Sequence, residues 1–143
     1  MSTEHPHISL LRSTLEIFGV AFLRFRPLSR LWVIWLVLVN AAGLLFIGHR
    51  EAQVVLVAVG VAVFMQALIY QKMRFVRILG ATHVLWLPML AWIATRLATL
   101  PADQQSFRIW LIALAATNLV SLVVDAAEAT RFVLGARKPY YTW

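Results

Sequence analysis

The sequence has no cysteine, few charged residues and few glycines among its 143 positions. Without cysteine the chain can form no disulfide, no thiol nucleophile and no cysteine-ligated metal site. Charged residues make up 13% of the chain, about half of their share in an ordinary soluble domain, and hydrophobic residues make up 62%. One small core does not hold that much apolar surface, so the composition excludes a disordered chain and a conventional soluble enzyme.

Short catalytic and cofactor-binding motifs are also absent from the sequence. It contains no HExxH, no GxSxG and no glycine-rich phosphate loop, the patterns typical of zinc proteases, serine hydrolases and nucleotide-binding proteins. We therefore expect no metal site and no cofactor. The sequence favours a protein that is not an enzyme.

Four long apolar runs occupy most of the chain, at about residues 31–48, 52–70, 78–95 and 109–130. Each is close to the 17–25 residues that a helix needs to cross about 30 Å of hydrocarbon. No alternation of apolar and polar residues suggests a membrane barrel. The sequence predicts an all-α polytopic membrane protein, a four-transmembrane-helix bundle over residues 31–134 with short connections and a tail at 135–143.

Residues 1–30 are predicted to form a polar tail and an amphipathic helix. Within residues 8–26 an interfacial helix agrees better with the pattern than a fifth spanning helix, because Arg12 and Glu16 are costly near the middle of a bilayer. The apolar residues recur at spacings of three and four, which places them on one side of a helix: Ile8, Leu11, Leu15, Phe18, Phe22 and Phe25.

Basic residues give the chain a formal net charge of +7. They fall near the ends of the apolar runs, where they orient membrane helices, so we expect no nucleic-acid partner. The predicted bundle carries ten on one side: Arg12, Arg24, Arg26, Arg30, Lys72, Arg74, Arg77, Arg131, Arg137 and Lys138. It carries three on the other side: Arg50, Arg96 and Arg108. By the positive-inside rule both termini face the cytoplasm, and the compact chain favours a bacterial inner membrane.

A polar stripe marks the fourth apolar run. Asn118, Ser121, Asp125 and Glu128 follow one another at spacings of three, four and three, within an arc of about 80° on a helix. Glu128 has a partner in Arg131, three residues later. Asp125 has no basic residue three or four positions away on its own helix. It is predicted to lie about 8–9 Å inside the membrane, so its partner comes from another helix or from water.

Other polar residues are predicted at the same depth as Asp125. His83 lies about 7–8 Å inside the same face of the bundle, and Gln66 and Tyr70 share one side of the second span. Depth alone thus predicts one cytoplasm-facing polar cluster: Asp125, Glu128, His83, Asn118, Ser121, Gln66 and Tyr70, with basic contacts from Arg74, Arg77 and Arg131. Such a cluster either holds helices together or binds a proton, an anionic ligand or a lipid headgroup.

The last residues resemble a membrane anchor in their composition. Gly135 is predicted to cap the fourth helix, and Pro139 prevents its continuation. A partner-docking tail is the alternative interpretation. Basic and aromatic side chains suited to an anionic leaflet follow: Arg137, Lys138, Tyr140, Tyr141 and Trp143.

The sequence leaves three hypotheses for function. The first is a non-enzymatic accessory, scaffold or assembly subunit whose partners are the lipid bilayer and either its own copies or the other subunits of a membrane complex. The second is a small oligomeric carrier or channel that uses Asp125, Glu128 and His83 for ion or proton-coupled transport. The third is a protein that binds anionic lipid headgroups or modifies lipids, although no catalytic signature accompanies the carboxylates.

Overall fold

The computed structural model describes residues 9–139 and residue 141 of the chain. Its regular elements are all helical within these residues, which confirms the predicted all-α class. The helices are α1 (Leu10–Gly19, continued by a π-helical turn over Val20–Arg24), α2 (Pro27–Ala41, continued by a 3₁₀ turn over Ala42–Phe46), α3 (Arg50–Met73), the 3₁₀ segment (Arg77–Leu85), α4 (Trp86–Leu97) and α5 (Gln105–Val133).

Within the part of the chain that the structure describes, four helical stretches are long and apolar enough to cross a membrane, the number that the sequence predicted. They contain 20, 24, 21 and 29 residues: Pro27–Phe46, Arg50–Met73, Arg77–Leu97 and Gln105–Val133. The third stretch joins the 3₁₀ segment to α4, and the fourth extends past Asp125 and Glu128. Predicted boundaries fall short of the observed ones because hydropathy marks where apolar residues stop, whereas a helix continues into polar residues at its ends.

The helices end where backbone geometry stops them. Arg74, directly after α3, has a positive φ of 61° with ψ near −154°, a region that costs a non-glycine residue about 1–3 kcal/mol. Gly135, with φ 118°, ends α5. The amide of Ala136 donates to the carbonyl of Arg131 at 2.9 Å, and that of Gly135 donates to Phe132 at 3.1 Å. This is the Schellman motif, so the predicted glycine cap is confirmed.

Two apolar clusters hold the helices together. One of them lies at the end of the bundle where α3 finishes and contains Ile17 and Val20. Helix α1, with its π-helical turn, therefore packs on the rest of the bundle at that end. We call that end the basic end, defined by residues 24–30, 72–77 and 131–138. The first cluster lies between α2, α3, α4 and α5: Val39, Ala52, Val55, Trp86, Met89, Ile93, Phe107, Trp110, Leu111 and Leu114. The second lies at the basic end: Ile17, Val20, Tyr70, Phe75, Val76 and Leu79.

Helix α1 turns part of its polar surface toward the bundle. Ser13 and Glu16 are buried, whereas Leu11 and Leu15 from the predicted apolar stripe are 71% and 62% exposed. Ile8, the first residue of that stripe, lies outside the described residues. An outward apolar surface of this kind is unusual for a helix that faces water.

Candidate functional site

The 3₁₀ segment aligns two of the predicted site residues, with a glycine between them, in one row. Its nine residues turn three per revolution, so side chains at every third position eclipse one another. Arg77, Gly80 and His83 therefore share one side, and Trp86, the first residue of α4, continues the row. An α-helix would place Arg77 and His83 about 120° apart. The tighter winding is what lets both side chains face α5.

His83 is held by hydrogen bonds at both ring nitrogens. Its Nδ1 donates to Asp125 Oδ2 at 2.7 Å, and Gln66 Nε2 donates to His83 Nε2 at 3.1 Å. Ser121 Oγ donates to Asp125 Oδ2 at 3.4 Å. Trp86 stacks on the imidazole with the ring centroids 4.0 Å apart. The result is a chain of polar groups, which we call the His83 network, linking α3, the 3₁₀ segment and α5.

Gly80 allows the 3₁₀ segment to approach the Asp125 carboxylate closely. A Cβ atom added at Gly80 would overlap the carboxyl group of Asp125. Only glycine leaves this space empty. The sequence reasoning missed Gly80. A glycine inside an apolar run does not show by itself whether another side chain packs closely against it.

Glu128 lies beside the His83 network and forms two ion pairs. Arg77 Nη1 donates to one carboxylate oxygen, and Arg131 Nη1 donates to the other at 3.0 Å. The pair with Arg77 joins the 3₁₀ segment to α5, whereas the pair with Arg131 lies within α5. The structure thus brings together Asp125, His83, Gln66 and Ser121, and beside them Glu128, Arg77 and Arg131.

Tyr70 and Arg74 contact a different carboxylate, that of Glu16 on α1. The Tyr70 hydroxyl donates to Glu16 Oε2 at 2.9 Å, and Arg74 Nη1 lies 3.7 Å from the same oxygen. Arg12 Nε donates to Glu16 Oε1 at 2.9 Å. Glu16 is only 7% exposed, so two hydrogen-bond donors and a second guanidinium group surround a buried acid. The sequence reasoning treated Glu16 as a cost within a spanning helix and did not foresee it as a docking point for α1.

Asn118 also lies outside the His83 network and pairs with Asn40 of α2. Asn40 Nδ2 donates to Asn118 Oδ1 at 2.9 Å, and Asn118 Nδ2 donates back to Asn40 Oδ1 at 3.1 Å. Both side chains are buried. Trp35 Nε1 donates to Thr117 Oγ1 at 3.0 Å beside them. These contacts attach α2 to α5.

A further ion pair closes the opposite end of the bundle. Arg96 Nε of α4 donates to Glu51 Oε1 of α3 at 2.7 Å, and Glu51 is buried. His49 stacks on Phe107 there, with ring centroids 3.9 Å apart. The sequence reasoning singled out neither residue of the ion pair, because both stand at the ends of apolar runs where solvated charges are common.

The predicted lipid-anchoring residues are divided between two surroundings. Arg137 and Lys138 are exposed, with the Arg137 guanidinium 5.8 Å from the Phe132 ring centroid. Tyr141 instead packs on Phe25, at a centroid distance of 4.6 Å. Tyr140 and Trp143 lie outside the described residues.

We expect substitution of Glu16 with leucine to release α1 from α3. The Tyr70 hydroxyl then has no acceptor and Arg74 has no counter-charge, and hydrogen bonds to a charged group contribute about 1.5–3 kcal/mol. Because the chain has no cysteine, a single cysteine at buried Ser13 reports on this contact. Its maleimide labelling rate should rise about tenfold or more in the Glu16→Leu background.

A matched control for this measurement is Leu15→Ala, which truncates an exposed residue of the same helix. The labelling rate at position 13 should stay within about twofold of the rate in the parent protein. A twofold change corresponds to a free energy well below that of a lost ionic hydrogen bond. Equal protection of position 13 in the Glu16→Leu and parent proteins would contradict a docking role for Glu16.

The His83 network places an imidazole between an amide donor and a carboxylate. Beside it, Glu128 forms ion pairs with two arginines. No group of three or more candidate ligands able to hold a metal ion occurs within residues 9–139 and residue 141. Comparison of the chain with protein-family models, with curated proteins and with solved structures gives no match.

Proposed function

We propose that the chain is a multi-pass protein of a bacterial inner membrane that acts as a non-enzymatic accessory or assembly subunit. Four apolar helices of spanning length support membrane insertion. Large apolar side chains on their outer surfaces, such as Leu28, Leu45 and Val123, are exposed and suit lipid. Ten of the thirteen basic residues belong to the basic end or to α1 beside it, which supports cytoplasmic termini.

The observation that carries this proposal is the pairing of the buried and half-buried acids. Each of Glu16, Glu51, Asp125 and Glu128 forms an ion pair with a basic or histidine side chain outside its own helix. The pairs join α1 to the residue after α3, α3 to α4, and the 3₁₀ segment to α5. Polar groups used in this way orient helices within a membrane. All four acids have partners within the bundle, so none of these four is left unpaired.

Helix α1 is proposed to lie in the interface at the cytoplasmic surface. With its π-helical turn it spans Leu10–Arg24, about 22 Å at 1.5 Å per residue, which is shorter than the hydrocarbon core. Its exposed leucines would enter the lipid while Glu16 stays against α3. The proposed partners are the bilayer, further copies of the chain or subunits of a membrane complex, and anionic headgroups near Arg137 and Lys138.

Substitution of Asp125 with asparagine tests the assembly role. An amide accepts more weakly than a carboxylate from His83 and Ser121, so we expect the unfolding free energy in mixed micelles to fall by about 1–2 kcal/mol. The yield of folded protein should fall with it. Asp103→Asn, in the exposed turn before α5, is the matched control and should change neither quantity.

The second candidate function, proton-coupled transport, is favoured by one geometric observation. His83 Nδ1 and Asp125 Oδ2 lie 2.7 Å apart, and their side chains are still 14% and 18% exposed. Proton flux into vesicles containing the purified protein separates the two proposals. The assembly role predicts no flux above that of empty vesicles for parent or variant. A stable Asp125→Asn protein that loses a flux present in the parent would establish transport instead.

A further inference from the structure

A cavity of about 400 Å³ lies at the basic end, apart from the His83 network. Its lining comes from the start of α2, from the start of the 3₁₀ segment and from the C-terminal residues: Arg26, Ser29, Arg77 and Tyr141. Tyr141 packs its ring on Phe25 next to the cavity. Three distant parts of the chain therefore build this one space.

The described residues that line the cavity include two arginines and no acid. Arg77 forms an ion pair with Glu128. Arg26 forms no ion pair and no side-chain hydrogen bond within residues 9–139 and residue 141. An anion entering the cavity would therefore meet a guanidinium group that has no counter-charge among these residues.

The start of α2 adds neutral donors to the same cavity. Arg26 precedes the helix without a side-chain cap, and Pro27 occupies its first turn. The first backbone N–H groups of a helix have no partner within it and carry the positive end of its dipole. Ser29, in the same first turn, lines the cavity and has a hydroxyl donor. A guanidinium, a hydroxyl and a helix start are the groups that bind phosphate oxygens.

We propose that the cavity between Arg26, Ser29 and Arg77 binds a phosphate group, carried either by an anionic lipid headgroup or by free phosphate. Arg26 supplies the uncompensated charge, and Ser29 with the start of α2 supplies oriented donors. The position at the end of two spanning helices places the cavity at the depth of lipid phosphates, which rests on the proposed membrane insertion. The site is independent of the assembly role assigned to Asp125.

The test uses the full chain purified in a neutral detergent, with bound ligand counted by native mass spectrometry. The probes are inorganic phosphate, dioctanoyl phosphatidic acid, and dioctanoylglycerol as a lipid without the phosphate. We expect one phosphatidic acid to bind and dioctanoylglycerol not to bind. Arg26→Gln should weaken binding about tenfold or more, and Ser29→Ala about threefold, because each removes a donor to the phosphate.

The matched control is Arg24→Gln, which removes an exposed charge from the same region but not from the cavity. It should change the affinity by less than about twofold. Binding of inorganic phosphate with the same dependence on Arg26 would identify free phosphate as sufficient. Binding of phosphatidic acid alone would identify the lipid headgroup.

Equal affinities for parent and Arg26→Gln, or an equal loss in Arg24→Gln, would overturn the proposal, as would binding of dioctanoylglycerol as tight as that of phosphatidic acid. The unfolding free energy of Arg26→Gln should match the parent, since the Arg26 side chain is exposed and makes no capping hydrogen bond to α2. The two proposals therefore fail in different measurements. The phosphate site is tested by the affinity of Arg26→Gln for the ligand, and the assembly role is tested by the unfolding free energy of Asp125→Asn.

Discussion

Substitution of Gly80 with alanine is expected to lower the unfolding free energy by about 2–3 kcal/mol, the upper part of the range for adding atoms to a well-packed site. The new methyl group would occupy the space of the Asp125 carboxylate. Relief requires the 3₁₀ segment to move away from α5 or Asp125 to leave His83. Either movement weakens the 2.7 Å contact between His83 and Asp125. Unfolding in mixed micelles of SDS and a mild detergent measures the change.

Gly60 provides a matched control for this substitution. It lies within α3, and a Cβ added there would have no atom within 4 Å. Gly60→Ala should therefore leave the stability unchanged or raise it by up to about 1 kcal/mol, because alanine favours a helix more than glycine does. A Gly80→Ala protein as stable as Gly60→Ala would show that the segment and α5 are not in close contact.

The Gly80 effect should also depend on Asp125. Asp125→Ala removes the carboxyl group that an added Cβ would overlap. The double variant Gly80→Ala/Asp125→Ala should then be more stable than the sum of the single changes by about 1 kcal/mol or more, the coupling expected of residues in contact. Additive effects would place the clash somewhere other than the carboxylate.

Most of the fold could be predicted from the sequence because each long apolar helix satisfies its own backbone hydrogen bonds. The length of an apolar run reports whether a helix of that length can cross a membrane, whatever its neighbours are. The count of four therefore needed no knowledge of packing. The 3₁₀ segment did need it, because residues 77–85 have no sequence feature that separates three residues per turn from 3.6.

The candidate site could be predicted only along the helix axes. Depth placed His83, Gln66 and Asp125 at one level, and the structure brings these three side chains into contact. The sequence does not give the rotation of each helix about its axis, and the structure places the Tyr70 hydroxyl against Glu16 of α1. Asn118 lies seven residues before Asp125, about 10 Å along α5, beyond the reach of one shared cluster.

Substitution of Asn118 with leucine is expected to lower the unfolding free energy by about 2 kcal/mol, the cost of leaving a buried polar group without its partner. Asn40 would lose both bonds to Asn118 and keep only its 2.9 Å bond to the carbonyl of Leu36. The amide oxygen of Asn40 would then face the apolar side chain of the new leucine. The loss should appear both in the unfolding free energy and in weaker attachment of α2 to α5.

A double-mutant cycle shows whether the two amides act as a pair. Leucine at both positions removes all four polar groups and fills a similar volume, so Asn40→Leu/Asn118→Leu should recover about 1–2 kcal/mol of the summed losses. Thr117→Val is the control, because it removes only the neutral bond from Trp35 next to this pair, worth about 1 kcal/mol. If the leucine changes were additive, α2 would be held to α5 by Trp35 and by the bond from Trp110 to the Val39 carbonyl.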